Sequence, residues 1–271
     1  MSRLICLLLI SVLLHAPARA AESLDRLREG LEAYQAGDYT LAAERLQSLA
    51  DAGQGTAQGL LAFMYLRGEG LPRDPRLAAH WAKQAAAAGD APAQGLLAGF
   101  HAQGYYVEQD DGLAVYWARA AAEQGIHSAQ NLLALSYYHG RGVDPDPGLA
   151  ARWALPAARA GEAASQALLA QLYHFGKGVP ADPAQALYWA RLGAAQNHPT
   201  AQLLLGLMHL RGRAVTQDYV RAHMWTNLAA AGGLSAAARL RDGIAARMSP
   251  AQIAEAQRLA AGQLGPALAG R

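Results

Sequence analysis

Apolar residues along this chain fall into helical stripes separated by turn signals. Ala57, Leu60, Leu61, Met64 and Tyr65 follow the i, i+3, i+4, i+7, i+8 spacing of an amphipathic helix. Gly68 stops that helix, because glycine carries no Cβ penalty in the left-handed conformation that closes a helix C-terminus. Asp74-Pro75 opens a second helix: the aspartate accepts free amide hydrogens, and proline is preorganised for the first helical position. That second helix is expected to bury Leu77, Ala78, Trp81, Ala82, Ala85 and Ala86 on one stripe and to end near Gly89. Small alanines let two helices approach closely, and one tryptophan fills the remaining volume.

The same hairpin returns every 36 residues. Gln58, Gln94, Gln130, Gln166 and Gln202 keep this step, as do Trp81, Trp117, Trp153, Trp189 and Trp225. Asp74, Asp110, Asp146, Asp182 and Asp218 keep it too, with Gly68, Gly104, Gly140, Gly176 and Gly212. A single hairpin cannot cover its own apolar face, so tandem copies must stack. The pattern predicts five full units over 57–236. Asp38, Ala42 and Gly53 hold the register in a degenerate capping unit at 21–56, which lacks the tryptophan. Residues 237–271 lose the loop and the tryptophan, and Ser249-Pro250-Ala251-Gln252 is a capping-box start to a final helix.

One apolar run stands outside the repeat. Arg3, the stretch Leu4–Leu14 and the small-x-small pattern Ala18-Arg19-Ala20 read as a cleaved secretory signal over 1–20, which predicts a periplasmic or secreted protein. Cys6, the only cysteine, would leave with it, so the mature chain would hold no disulfide and no thiol nucleophile. No later stretch approaches the roughly 18 apolar residues that span a bilayer.

Composition then narrows the function classes. The chain is 52% hydrophobic but only 7% aromatic and 16% charged, which excludes intrinsic disorder. Its formal charge of +2 contains Arg3 and Arg19, so the mature chain sums to neutrality. That argues against a broad electrostatic grip on nucleic acid or anionic lipid and leaves room only for a local patch.

The unit Ala57-Gln58…Leu61-Ala62…Tyr65…Gly68-x-Gly70…Asp74…Ala78…Trp81…Ala85-Ala86…Gly89 resembles the Sel1-like repeat, a relative of the tetratricopeptide repeat. The period and the Gly-x-Gly loop distinguish it from the shorter tetratricopeptide unit. The tail from Arg241 to Ala260 is similar to the closing segment of many bacterial members. The resemblance implies an all-α, right-handed α/α superhelical solenoid in a bacterial exported protein. It also implies a non-catalytic scaffold or adaptor role through protein contacts, with no catalytic residues and no cofactor. Two alternatives come from other classes. One is an enzyme acting on cell-wall or β-lactam substrates, since some Sel1-like proteins are linked to penicillin binding; those relatives are rich in disulfides. The other is a structural subunit of an envelope complex.

Motif chemistry is sparse. Gly140-Arg141-Gly142 and Gly176-Lys177-Gly178 follow helices instead of strands, so they are repeat loops and not phosphate cradles. The repeated aspartates read as helix caps. His101 and His209 replace the repeat's tyrosine and should be packed rings. His139 and His174 end neighbouring first helices and could approach each other, but a pair with no cysteine or carboxylate beside it reads as surface histidines, not a metal site.

Departures from the repeat are better pointers, because the fold does not demand them. The first helix of each unit should line the concave side, and its outward positions offer Phe63, Arg67, Gln103, Tyr138, His139, Gln171, His174, Phe175 and Arg211 for binding. Aromatics beside arginine suit a peptide- or protein-binding groove. Tyr105-Tyr106 replaces the second loop glycine and would form a sticky loop tip. Pro156 should interrupt and kink its helix.

Overall fold

The structure, a computed structural model, describes residues 21–268. The expected signal segment 1–20 lies outside the described residues. Among those described there are helices and turns and no strand. Helix α1 (21–36) pairs with α2 (Tyr39–Asp51). Five hairpins follow: α3 (Gly55–Arg67) with α4 (Pro75–Ala87), α5 (Ala91–Gln103) with α6 (Asp111–Glu123), α7 (His127–His139) with α8 (Pro147–Arg159), α9 (Ala163–Phe175) with α10 (Pro183–Ala195), and α11 (Pro199–Arg211) with α12 (Tyr219–Ala231). Helices α13 (Ser235–Ala245) and α14 (Pro250–Leu268) complete the chain. The contacts divide it into two compact units, one ending at Ile126 and the other beginning at His127.

Both units are built by the same local rules. Gly68 closes α3 with φ 74°, its amide donating to the Met64 carbonyl at 2.8 Å. The aspartates cap as expected: Asp74 Oδ1 accepts from the amides of Arg76 and Leu77, and Asp146 and Asp182 repeat the arrangement. Each such cap is worth about 1 kcal/mol. Ser249 and Gln252 exchange reciprocal bonds that open α14.

Between hairpins the repeated glutamine acts as a staple. Gln58 Nε2 donates to the Ala50 carbonyl, Gln94 to Ala86 and Gln166 to Ala158, at 3.0 to 3.2 Å and buried. Each bond ties a first helix to the C-terminal turn of the second helix before it. Each of these carbonyls also accepts a turn amide, from Gly53, Gly89 and Gly161 respectively, so the glutamine adds a second bond worth about 0.5–1.5 kcal/mol. Alanine fills the seams: Ala42, Ala78, Ala82 and Ala85 are fully buried, and Trp81 packs partly buried at their edge.

Two details depart from the sequence reading. Leu77 is 40% exposed, like Leu41 and Leu113 at the same register. The buried stripe of α4 is instead Ala78, Ala79, Ala82, Ala85 and Ala86, too narrow to include the residue one step before it. Helix α8 runs unbroken through Pro156. The residue whose carbonyl loses an amide partner there, Arg152, is exposed, so water can replace the bond.

Candidate functional site

The candidate residues lie mainly along the first helices, and the two units treat them differently. In the first unit the Arg67 guanidinium sits 5.8 Å from the centroid of the Phe63 ring and 3.6 Å from Glu69. Glu69 also accepts a 2.8 Å bond from the Tyr34 hydroxyl, whose pKa is raised by burial first and then by that carboxylate. Phe63 and Arg67 are therefore tied into a local network. Gln103 is exposed at the end of α5. Tyr105 is 57% exposed, and Tyr106, also exposed, rests edge-on against Phe100 at 5.5 Å.

Tyr106 has φ 63°, the left-handed region that the glycines at this register occupy, as Gly70 does with φ 68°. A Cβ on Gly70 would overlap the backbone of Tyr39 at the start of α2, and one on Gly178 would overlap that of Pro147 at the start of α8. With a side chain at this register, the loop before α6 cannot sit as close to a neighbouring helix as those loops do. A bulky residue held left-handed costs about 1–2 kcal/mol.

In the second unit α9 packs between α7 and α11. Their shared face holds a hollow of about 220 Å³ lined by Leu135, Tyr138, His139, Ala164, Ala167, Leu168, Gln171, His198 and Thr200. Tyr138, His139 and Gln171 are thus brought together as expected. His198 and Thr200 were missed, because they come from the N-terminal end of α11 and not from the outward positions near the helix C-termini. One signal was available: Gln54 and Asp90 at this register cap their helices, whereas His198 makes no such bond and its Nδ1 is buried without a partner.

Phe175 is 54% exposed at the end of α9, and Arg211 is exposed at the end of α11. His174 departs from its expected outward place. It is 3% exposed, neither ring nitrogen has a partner, and its ring stands edge-on to Phe175 at 4.7 Å. At the same register Leu66, Tyr138 and Leu210 are half-buried, so the position faces neighbouring helices and not open solvent. His139 instead pairs with Tyr138, at 4.9 Å. Burial lowers the pKa of His174, with Arg213 and Arg211 adding to the effect. Burial likewise lowers those of His198, His209 and His223. Among the described residues no three His, Cys, Asp or Glu side chains group as metal ligands.

Charge separates the units further. Residues 21–126 carry 8 Lys and Arg against 14 Asp and Glu, a formal −6, while residues 127–271 carry 13 against 7, a formal +6. Residues 21–271 are neutral only as the sum of two oppositely charged halves.

Fold and surface together define a helical-hairpin repeat protein with an open side-chain-lined face. Five segments, 55–90, 91–126, 127–162, 163–198 and 199–234, match the Sel1 repeat, and the chain belongs to that family. It is similar to the crystal structure of a protective antigen present in uropathogenic Escherichia coli strains that displays an SLR fold. Identity there is 32% and the TM-score 0.67, covering 91% of this chain and 55% of that one. The chain therefore spans about half the length of the antigen. A Sel1 repeat protein from Oxalobacter formigenes is 29% identical with a TM-score of 0.69, covering 81% of this chain and 88% of that one. No curated protein matches the chain significantly. The fold is all-α, with hairpins repeated as in these α/α solenoids, and Sel1 repeat proteins are generally protein-interaction scaffolds.

Proposed function

We propose that this protein is a non-catalytic scaffold or adaptor of the bacterial cell envelope that holds a protein or peptide on the face formed by its first helices. The observation that carries this is the hollow around Tyr138, His139 and Gln171, which lies on three successive first helices. Aromatic and amide side chains around a solvent-open depression suit peptide contact. The envelope assignment rests on the apolar run and small-x-small site within residues 1–20. N-terminal sequencing of the protein from a periplasmic or secreted fraction should begin at Ala21. Recovery of an intact N-terminus from the cytoplasm would refute that part.

A photo-reactive side chain installed at Gln171 should crosslink a defined partner in cells. Tyr138→Ala with Phe175→Ala should abolish the adduct while leaving helicity unchanged by circular dichroism. An adduct that survives both changes would remove the first-helix face from the proposal.

A further inference from the structure

Part of the second unit's surplus of cations lies along one edge of its first helices, while Arg152, Arg159, Arg191, Arg239 and Arg247 are exposed on or just after α8, α10 and α13. Three of its arginines are engaged in ion pairs: Arg221 with Asp218, Arg241 with Asp242 and Arg258 with Glu255. Arg141, Lys177, Arg211 and Arg213 are all exposed and have no ion pair among the described residues. All four sit at or just beyond the C-terminal ends of α7, α9 and α11, along one edge of the first-helix face. Four aspartates lie at that edge, and Asp144, in the loop of Arg141, is exposed with no ion pair among the described residues. Asp146, Asp182 and Asp218 each direct Oδ1 to helix amides.

The hollow supplies the second half of the argument. At about 220 Å³ it is smaller than the roughly 300–1,000 Å³ of sites that take whole small ligands, and it suits a single inserted side chain. Leu135 and Leu168 give it apolar lining, while Gln171 and Thr200 add polar groups. A helical face offers no strand edge for backbone pairing, so recognition here must come from side chains. The distance also fits. From Thr200 to Arg211 the rise of α11 is about 16 Å, which roughly five extended residues cover.

Resting on the reading above, we infer that the first-helix face of residues 127–271 takes an extended acidic segment of a partner protein. One apolar or aromatic side chain of that segment enters the hollow between Tyr138 and Gln171. Its flanking carboxylates meet Arg141, Lys177, Arg211 and Arg213. Arginine at such an edge favours carboxylates through paired N–H donors, and the attraction is screened by salt.

The test uses the full chain and fluorescein-labelled peptides of about ten residues. The reference peptide has a central Phe flanked by Glu on a Gly-Ser background. Its companions replace Glu by Gln, Glu by Lys, or Phe by Ser. By fluorescence anisotropy, the reference peptide should bind, and the Lys peptide should not. The Gln and Ser peptides should each be weaker by tenfold or more. Raising NaCl from about 50 to about 300 mM should weaken the reference peptide further. Arg211→Glu with Arg213→Glu should cost at least tenfold for the Glu peptide, with helicity unchanged. The peptide-side changes need no variant, so a misfolded variant cannot hide the answer.

Equal binding of the Glu, Gln and Lys peptides would overturn the acidic preference and leave the scaffold reading standing. Failure of every peptide while Gln171 still crosslinks a partner would overturn recognition of a linear segment. If the crosslink is absent as well, the scaffold reading fails with it. Tighter binding of single-stranded oligonucleotide than of the Glu peptide would assign the surface to polyanions and overturn the proposal. Self-association in sedimentation, abolished by Arg211→Glu with Arg213→Glu, would make the acidic unit of a second copy the occupant and overturn it too.

Discussion

At one register of the repeat the first unit has Gly70 as well as Tyr106 and the second has Ala214 as well as Gly178, all left-handed; Tyr106 and Gly178, at φ 63° and 70°, differ most. The glycine is required by contact, since a Cβ there would overlap the backbone of Pro147. The tyrosine is tolerated without that contact, and it puts an aromatic pair on the surface. The contrast extends to the helix ends. Arg67 is occupied by Glu69 and Phe63, whereas Arg211, at the same register, has no carboxylate partner. The repeat fixes the backbone of both units and leaves the same few positions free. Each unit has closed positions, such as Arg67 and His174, and open ones, such as Tyr105 and Phe175. Substitution at the shared register should have unequal consequences. Gly178→Ala combines left-handed strain with a backbone overlap and should cost more than about 3 kcal/mol. Tyr106→Gly relieves strain but loses the Phe100 contact, and should stay within about 1 kcal/mol of the parent. Urea denaturation of both variants decides this; equal losses would show that the two loops are held alike.

A smaller effect is expected inside the last hairpin of the second unit. Position 206 is Gly where Ala62, Ala98, Ala134 and Ala170 occupy the earlier copies, and position 226 is Thr where those copies have alanine. A Cβ on Gly206 would lie 2.6 Å from Thr226 Cγ2, so the two departures compensate each other. Gly206→Ala alone should destabilise by about 1–3 kcal/mol through overpacking. Adding Thr226→Ala should restore most of that loss. A double mutant no more stable than the single would break the pairing.

That pair also shows what the sequence made legible. The hairpins, their caps and the register could be read because the 36-residue step repeats local chemistry that needs no long-range information. Asp74 caps α4 for the same reason that Asp182 caps α10. Positions read from a single helix were less secure. His174 seemed outward from its spacing, but it is 3% exposed, because burial is set by neighbouring helices that one helix's spacing does not describe. The role of His198 required knowing that the start of α11 lies beside the end of α7. The charge split was present in the composition and disappeared when the chain was summed as a whole.

Acid should separate the units by a graded amount. His174, His198, His209 and His223 all belong to the second unit, and burial holds each pKa below the ordinary 6.5. A histidine depressed in the fold gives stability that is present above the unfolded value and lost as pH falls from about 6.5 through the folded value. In the first unit, burial raises the pKa of Asp90 above 3.8, which acts in the opposite sense: that contribution is present at low pH and lost as pH rises through the folded value. Hydrogen exchange, corrected for intrinsic rates, should therefore show protection falling between pH 7.5 and about 5.5 in residues 163–231 more than in 55–123. Equal loss in both would mean that the histidines are hydrated in solution.

The smallest effect concerns the closed network of the first unit. Glu69 is the carboxylate that Arg67 meets at 3.6 Å and that the Tyr34 hydroxyl contacts at 2.8 Å. Glu69→Gln keeps an acceptor for that hydroxyl while removing the charge. Because Arg67 is well exposed, the ion pair should contribute no more than about 1 kcal/mol, and the melting temperature should barely move. Tyr34 should respond more clearly: without the neighbouring carboxylate its pKa should fall, visible as an earlier onset of tyrosinate absorbance in an alkaline titration. Arg67 would then stand beside Phe63 without a carboxylate, which is how Arg211 stands in the second unit. If the Glu-Phe peptide binds this variant no better than the parent, an unpaired arginine is insufficient, and the hollow beside Tyr138 and Gln171 is what confines binding to the second unit.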